Sequence, residues 1–436
     1  MIACTESNGG DQGVAMGERY SAGTRSSSLW LMIFDDAEAQ PPTRASSPAF
    51  ITAGREHRRA TPILVPVVPP SRQQRGIPWQ GVFLRTKHTI IEKEETMRGT
   101  VLYAPGDVRS EQREDPRIEK PTDAILRLAA SCVCGSDLWS YRGINSVTEP
   151  RSMGHEYVGV VEEIGGEVRD IKVGDFVVGS FFSSDNTCEI CQDGYQSRCV
   201  QGESATPGGA QAELLRVPQA DGTLVPTPGI PDEDLIPSLL AASDVLGTGW
   251  YGAVAAKAGP GKSVAVVGDG AVGLLAILAA KQLGAEQIIA MSRHAPRQAL
   301  AREFGATDII EERGDDGVAQ VKELTGGLGA HCVVEAVGTQ EAMMQAIRST
   351  RPGGHVGFVG VSHGVEIPGQ ELFYSEVHLH GGPAPVRRFL PDLIERIWRR
   401  EINPGKVFDL ALPLAEVAEG YKAMDERRAI KTLLRP

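Results

Sequence analysis

The chain has 436 residues, too many for one core and suited to two domains with an extra segment. It carries 50 glycines and only 6% aromatic residues, a balance that suits an α/β protein with many tight strand-to-helix turns. The formal net charge of −12 argues against a nucleic-acid binder, which usually presents a basic face.

Residues 1–96 differ from the rest. They hold scattered Gly, Ser, Pro and Arg, with runs such as QPPTRASSP and VPVVPPSRQQRG and no sustained period. They read as a disordered leader or an artefact of an early start codon, with Met97 as the candidate natural start. The stretch SLWLMIF (28–34) is followed at once by Asp35 and Asp36 and does not read as a secretion signal. No apolar run reaches the roughly 18 residues that span a bilayer, so no membrane partner is expected and the cytoplasm is the default compartment.

From residue 97 the text becomes strand-like and Gly-punctuated. MRGTVLYAPGDV, AILRLAAS, YVGVVEEIG and DFVVGSFF read as strands, with a turn at IKVGD (171–175). A Cys-bearing loop follows at 184–208. From about 263 the grammar changes. SVAVVGDGAVG is a buried strand entering a Gly-rich turn, and AVGLLAILAAKQLGA is a helix closed by Gly284. IIAMSR, HCVVEAVG and GHVGFVGV are further strands, with APRQALAREFGA a helix between the first two. This alternation predicts a doubly wound parallel sheet. FLPDLIERIWRREI is a late helix, and the chain ends in a short strand-like tail, AIKTLLRP.

GDGAVG (268–273) fits G-x-G-x-x-G in the context that the pattern needs, after a Val-rich strand and before an apolar helix. Gly268 permits the turn, and Gly270 lets the backbone at Ala271 and Val272 approach a pyrophosphate. Gly273 lets helix and strand pack closely. At the end of the second strand an acid would accept the ribose 2′-hydroxyl of NAD. The sequence there is MSRH (291–294), with no acid. Ser292 and Arg293 can bind a 2′-phosphate instead, and Arg297 adds a second cation, so NADP(H) is expected over NAD(H).

The seven cysteines are Cys4, Cys132, Cys134, Cys188, Cys191, Cys199 and Cys332. The odd count, with five of them between 132 and 199, favours metal binding over a disulfide framework. Cys132 and Cys332 lie in apolar strands and read as core.

Three segments carry the chemistry: CVCGSDLW (132–139), GHE (154–156) and ASDVLGTGWYGA (242–253). With the dinucleotide turn behind them, they resemble the zinc-containing medium-chain dehydrogenase/reductase family, whose alcohol dehydrogenases share this order of motifs. The resemblance runs from about 97 to 436. It implies a GroES-like β-rich catalytic domain over 97–245 and 383–436, with a Rossmann domain over 246–382. It implies that Cys134, His155 and Asp244 ligate a catalytic zinc, with a fourth position open for water or substrate. Many relatives use Cys at the third position; Asp244 is a harder ligand that keeps the site anionic. Glu156 is expected behind the metal as an alternative ligand, and Asp137 as the acceptor that orients His155. Ser136 matches the hydroxyl that takes the alcohol proton, Thr248 a residue against the nicotinamide, and Lys431 a basic residue at the cofactor pyrophosphate. Trp139 stands where many relatives carry a relay histidine, and an indole N–H is donor only.

The related lobe binds a structural zinc in C-x2-C-x2-C-x7-C spacing. Here Asp185 takes the first place, before Cys188, Cys191 and Cys199, in a lobe at about 184–202. A carboxylate can ligate zinc, so a site of one aspartate and three cysteines is expected, against a metal-free lobe held by hydrogen bonds. The implied activity is hydride transfer between an alcohol, or an aldehyde or ketone, and NADP(H), in a homodimer or homotetramer acting on a small molecule. The rivals are a zinc-free quinone or enone reductase on the same fold and a non-catalytic NADP-binding redox sensor.

Overall fold

The computed structural model describes residues 96–436. The leader reading and Cys4 lie outside the described residues.

A hairpin opens the described chain. β1 (Thr96–Ala104) pairs antiparallel with β2 (Asp107–Glu114), and Gly106 between them takes a positive φ of 77°. With β4 (Arg151–Ser152) they make a three-stranded sheet. The second sheet is mostly antiparallel. It holds β3 (Ala124–Cys132), β5 (Tyr157–Ile164), β6 (Phe176–Gly179), β7 (Leu214–Val217) and β8 (Leu224–Pro226). β3 serves two cores. Ala124, Leu126 and Leu128 pack inside this sheet, whereas Ala130 and Cys132 reach the core shared with the nucleotide-binding region.

The third sheet is parallel, with six strands: β9 (Ser263–Val267), β10 (Gln287–Met291), β11 (Asp308–Ile310), β12 (Ala330–Glu335), β13 (Thr350–Phe358) and β14 (His378–Gly381). Their spatial order is β11-β10-β9-β12-β13-β14, the doubly wound dinucleotide-binding order. β9 is buried along its whole length because both faces are covered. Val264 and Val266 pack into one core, and Ala265 and Val267 into another on the opposite face. Cys332 is buried in β12 and Cys132 in β3, as core residues.

The chain end returns to the second sheet. β16 (Thr432–Arg435) pairs parallel with β15 (Leu410–Pro413) and antiparallel with β3, where Leu433 faces Cys132. The helix Val386–Trp398 contains Pro391 yet buries Leu390, Leu393, Ile394 and Ile397 on one face. It packs on the helices Ile236–Ala242 and Val245–Ala255. No helix among the described residues is long and apolar enough to cross a membrane.

Candidate metal centre and cofactor site

Strand pairing assembles the first cluster. Ser131 of β3 lies opposite Tyr157 of β5, so Cys134, just past β3, meets His155 and Glu156, just before β5. The Asp137 carboxylate accepts from the Cys134 backbone N–H at 3.0 Å, and the Asp137 N–H donates to the Cys134 carbonyl at 3.1 Å. This tight turn aims the thiol as the chain enters the helix Asp137–Tyr141. Asp244 arrives from the break between two helices, at φ −150° and ψ −77°.

Ligand atoms of Cys134, His155, Glu156 and Asp244 all lie within 4.8 Å of one another. Asp244 Oδ2 is 3.6 Å from Cys134 Sγ and 3.3 Å from His155 Nε2. The other His155 nitrogen, Nδ1, faces Asp137 Oδ1 at 3.5 Å. Gln211 Nε2 donates to Asp137 Oδ2 at 3.2 Å, and Tyr421 OH donates to Gln211 Oε1 at 3.1 Å. Nothing in the pattern of GAQAELL marks Gln211, which sequence reasoning missed.

Burial shapes the electrostatics. It raises the pKa of the Cys134 thiol, and the Glu156 carboxylate adds to the rise. Burial also raises Glu156 against the opposing pull of Lys431. Burial would raise Asp244 too, but hydrogen bonding and charge from His155 outweigh it and the net shift is downward. Glu156 Oε2 is buried and has no hydrogen-bond partner among the described residues. A sulfur, an imidazole nitrogen and two carboxylates around one point, with one oxygen orphaned, suit a zinc ion and leave little reason to cluster without one.

Two of the expected residues make contacts that the sequence does not foretell. Lys431 stands just before β16. The β16–β3 register carries it behind the cluster, 1% exposed, where Nζ donates to Glu156 Oε1 at 2.6 Å and to the Val133 carbonyl at 3.3 Å. Thr248 is 7% exposed and gives its hydroxyl to Asp244 Oδ1 at 2.6 Å, one helical turn on. Its hydroxyl therefore orients the carboxylate; the i, i+4 spacing from Asp244 was the available signal.

Ser136 is half-buried at the start of the Asp137–Tyr141 helix. Trp139 packs against His363 with ring centroids 3.8 Å apart and the rings tilted by 33°. His363 comes from the loop after β13, and its Nε2 is buried without a partner among the described residues. This histidine stands alone in VSHG, so no sequence motif marks it.

The second cluster holds Asp185, Cys188, Cys191 and Cys199. Cys188 Sγ and Cys199 Sγ are 3.9 Å apart, far beyond a disulfide bond and close to the roughly 3.8 Å edge of a tetrahedron of thiolates around zinc. Asp185 Oδ1 is 3.3 Å from Cys199 Sγ and accepts from the N–H groups of Thr187 and Cys188. Burial would raise the Asp185 carboxyl, but these bonds hold it down at about 2.

At the dinucleotide turn Gly268 has φ +119°, and a Cβ there would strike Val337. A Cβ on Gly273 would lie 2.0 Å from the Gly268 carbonyl, so helix and strand touch as expected. Gly270 begins the helix Ala271–Gln282 and faces open space. Ala271 and Val272 form its first turn, whose free N–H groups suit a pyrophosphate. At the end of β10, Arg293 is exposed and Ser292 is buried. Ser292 and Arg297 both contact Asp269, the residue between the first two glycines.

Comparison with known proteins agrees with this geometry. Residues 120–229 match the family described as alcohol dehydrogenase GroES-like domain, and residues 271–398 match that described as zinc-binding dehydrogenase. The zinc-type alcohol dehydrogenase B of Aspergillus flavus is 32% identical over 372 residues, 81% of this chain and 85% of that protein. A Mycobacterium tuberculosis protein named "Probable zinc-binding alcohol dehydrogenase" is 36% identical over 350 residues, 78% of this chain and 89% of its own. The structure of an alcohol dehydrogenase from Thermus sp. ATN1 superimposes with a TM-score of 0.72 at 33% identity, covering 78% of this chain and 99% of that one.

Proposed function

The chain belongs to the zinc-dependent medium-chain alcohol dehydrogenase family, and on that premise we propose that it transfers hydride between an alcohol, or an aldehyde or ketone, and NADP(H). The observation that carries this reading is the convergence of Cys134, His155 and Asp244, with Glu156 behind them, in one buried cluster.

Cys134, His155 and Asp244 would hold the catalytic zinc, and Asp185, Cys188, Cys191 and Cys199 a structural one. When bound, zinc supplies Lewis acidity to the alcohol or carbonyl oxygen. The protein does the rest. Asp137 fixes the His155 ring by facing Nδ1, which leaves Nε2 toward the cluster. Thr248 locks one Asp244 oxygen and leaves the other free for the metal. Lys431 neutralises Glu156 and keeps that carboxylate in reserve behind the site. Ser136 takes the alcohol proton. Trp139 cannot pass it on, because its indole N–H donates and does not accept.

Ala271 and Val272, with Gly268, Gly270 and Gly273, seat the pyrophosphate. Ser292, Arg293 and Arg297 favour a 2′-phosphate, which supports NADP(H). We assign 97–245 and 383–436 to the catalytic domain and 246–382 to the nucleotide domain. The edge of β14, unpaired among the described residues, and the exposed Phe373 and Tyr374 support a homodimer or homotetramer.

Elemental analysis of the wild type and of Cys134→Ser, with activity on a panel of alcohols and aldehydes with both cofactors, tests the reading. Activity lost with a chelator and restored by zinc is expected. Undiminished zinc and activity in Cys134→Ser would overturn it.

A further inference from the structure

The sequence shows no acid at the end of β10, where an NAD-binding protein would carry one. The fold supplies a carboxylate from the neighbouring strand. β9 and β10 run parallel with Val267 beside Met291, so the turn after β9 abuts the residues after β10. Asp269, between Gly268 and Gly270, is thereby brought to Ser292 across 23 residues of sequence. Ser292 Oγ donates to Asp269 Oδ2 at 2.8 Å, and Arg297 Nη1 reaches both Asp269 Oδ1 and its carbonyl at 3.3 Å. The Asp269 and Arg297 side chains are only 12% and 13% exposed.

We propose that Asp269 is the residue that sets the cofactor balance, accepting the ribose 2′-hydroxyl of NAD(H) and opposing the 2′-phosphate of NADP(H). The proposal rests on the cofactor site assigned above and names the group within it that discriminates. Ser292 and Arg297, two of the three groups suited to the phosphate, already spend hydrogen bonds on this carboxylate. A neutral ribose hydroxyl donates to a carboxylate with no penalty. A phosphate carrying close to two negative charges meets repulsion there, and binds only as Arg297 turns outward. The contacts of Arg297 are longer than the 2.7–2.9 Å usual for a guanidinium on a carboxylate. Arg293, exposed beside them, remains available to either cofactor. The site therefore takes both nucleotides, and Asp269 narrows the preference for NADP(H) that the arginines create.

The test is equilibrium binding of NADH and NADPH to the full chain, read by nicotinamide fluorescence. Titration calorimetry with 5′-AMP and 2′,5′-ADP repeats it on fragments that lack the reacting ring. Asp269→Asn removes the charge at nearly constant shape, and Asp269→Ser is the second variant should the first fold poorly. The ratio of the NADH to the NADPH Kd is expected to rise by about tenfold or more, NADH weakening and NADPH tightening. An unchanged ratio in both variants, or a shift toward NADH, would overturn the proposal, the second outcome marking Asp269 as an organiser of the phosphate site. Arg293→Ala separates the two readings. If that change leaves NADPH binding intact, the phosphate site assigned above fails, while the NADH arm of the Asp269 variants still decides the role of the carboxylate.

Discussion

Lys431 Nζ lies 2.6 Å from Glu156 Oε1, and the two side chains are 1% and 0% exposed. An ion pair sealed this completely is costly to split, because the survivor is a charge with neither partner nor water. Lys431→Met is expected to destabilise the chain by about 3–5 kcal/mol, and the double variant Lys431→Met with Glu156→Gln by much less than the two single changes summed. Chemical denaturation of the four proteins in the cycle checks this. Additive losses would show that the pair is not coupled.

Thr248 locks Asp244 from one helical turn away. Thr248→Val removes the hydrogen bond and keeps the shape, so Asp244 gains rotational freedom. Partners of this kind are typically worth about 10- to 100-fold in metal affinity. Competition with a chromogenic chelator measures it. Zinc affinity equal to that of the wild type would return Thr248 to a role at the nicotinamide alone.

The second cluster predicts a separable metal. Asp185→Ala and Cys199→Ser should each lower the zinc content from about two to about one per chain and lower Tm, with the remaining zinc still supporting turnover. Elemental analysis beside a thermal melt reads both effects. A wild type that holds a single zinc, unchanged in Asp185→Ala, would show a lobe held by hydrogen bonds.

Much of this site was legible because its motifs are local. Cys134, Ser136 and Asp137 fall within four residues, His155 and Glu156 are adjacent, and the glycine turn is contiguous between a buried strand and an apolar helix. What could not be read is what strand register decides. Lys431 lies 275 residues from Glu156 and reaches it only because β16 pairs with β3. Asp269 stood in plain view inside GDGAVG, but its meaning depends on β10 lying beside β9. His363 and Gln211 belong to no pattern, and only the packing of distant segments brings them to the site. Apolar runs closed by glycine marked strands such as β5, β6 and β9; the four-residue β14 carries no such run.

Ser136 and Trp139 differ in what they can do with a proton. Both stand at the start of the Asp137–Tyr141 helix, but only the hydroxyl can both accept and donate a proton. Ser136→Ala should therefore lower kcat for alcohol oxidation by about 10²- to 10⁴-fold, the range of a lost proton-transfer group, with zinc content unchanged. Trp139 packs on His363 with centroids 3.8 Å apart, and its indole N–H can donate but not accept a proton. Trp139→Phe should leave kcat within about threefold, since neither ring passes a proton, and, the phenyl being smaller, should act mainly on KM for bulky alcohols. Steady-state kinetics on a short and a branched alcohol distinguish the two. A fall in kcat for Trp139→Phe as deep as that for Ser136→Ala would place the tryptophan in the proton path, against the donor-only chemistry of its indole.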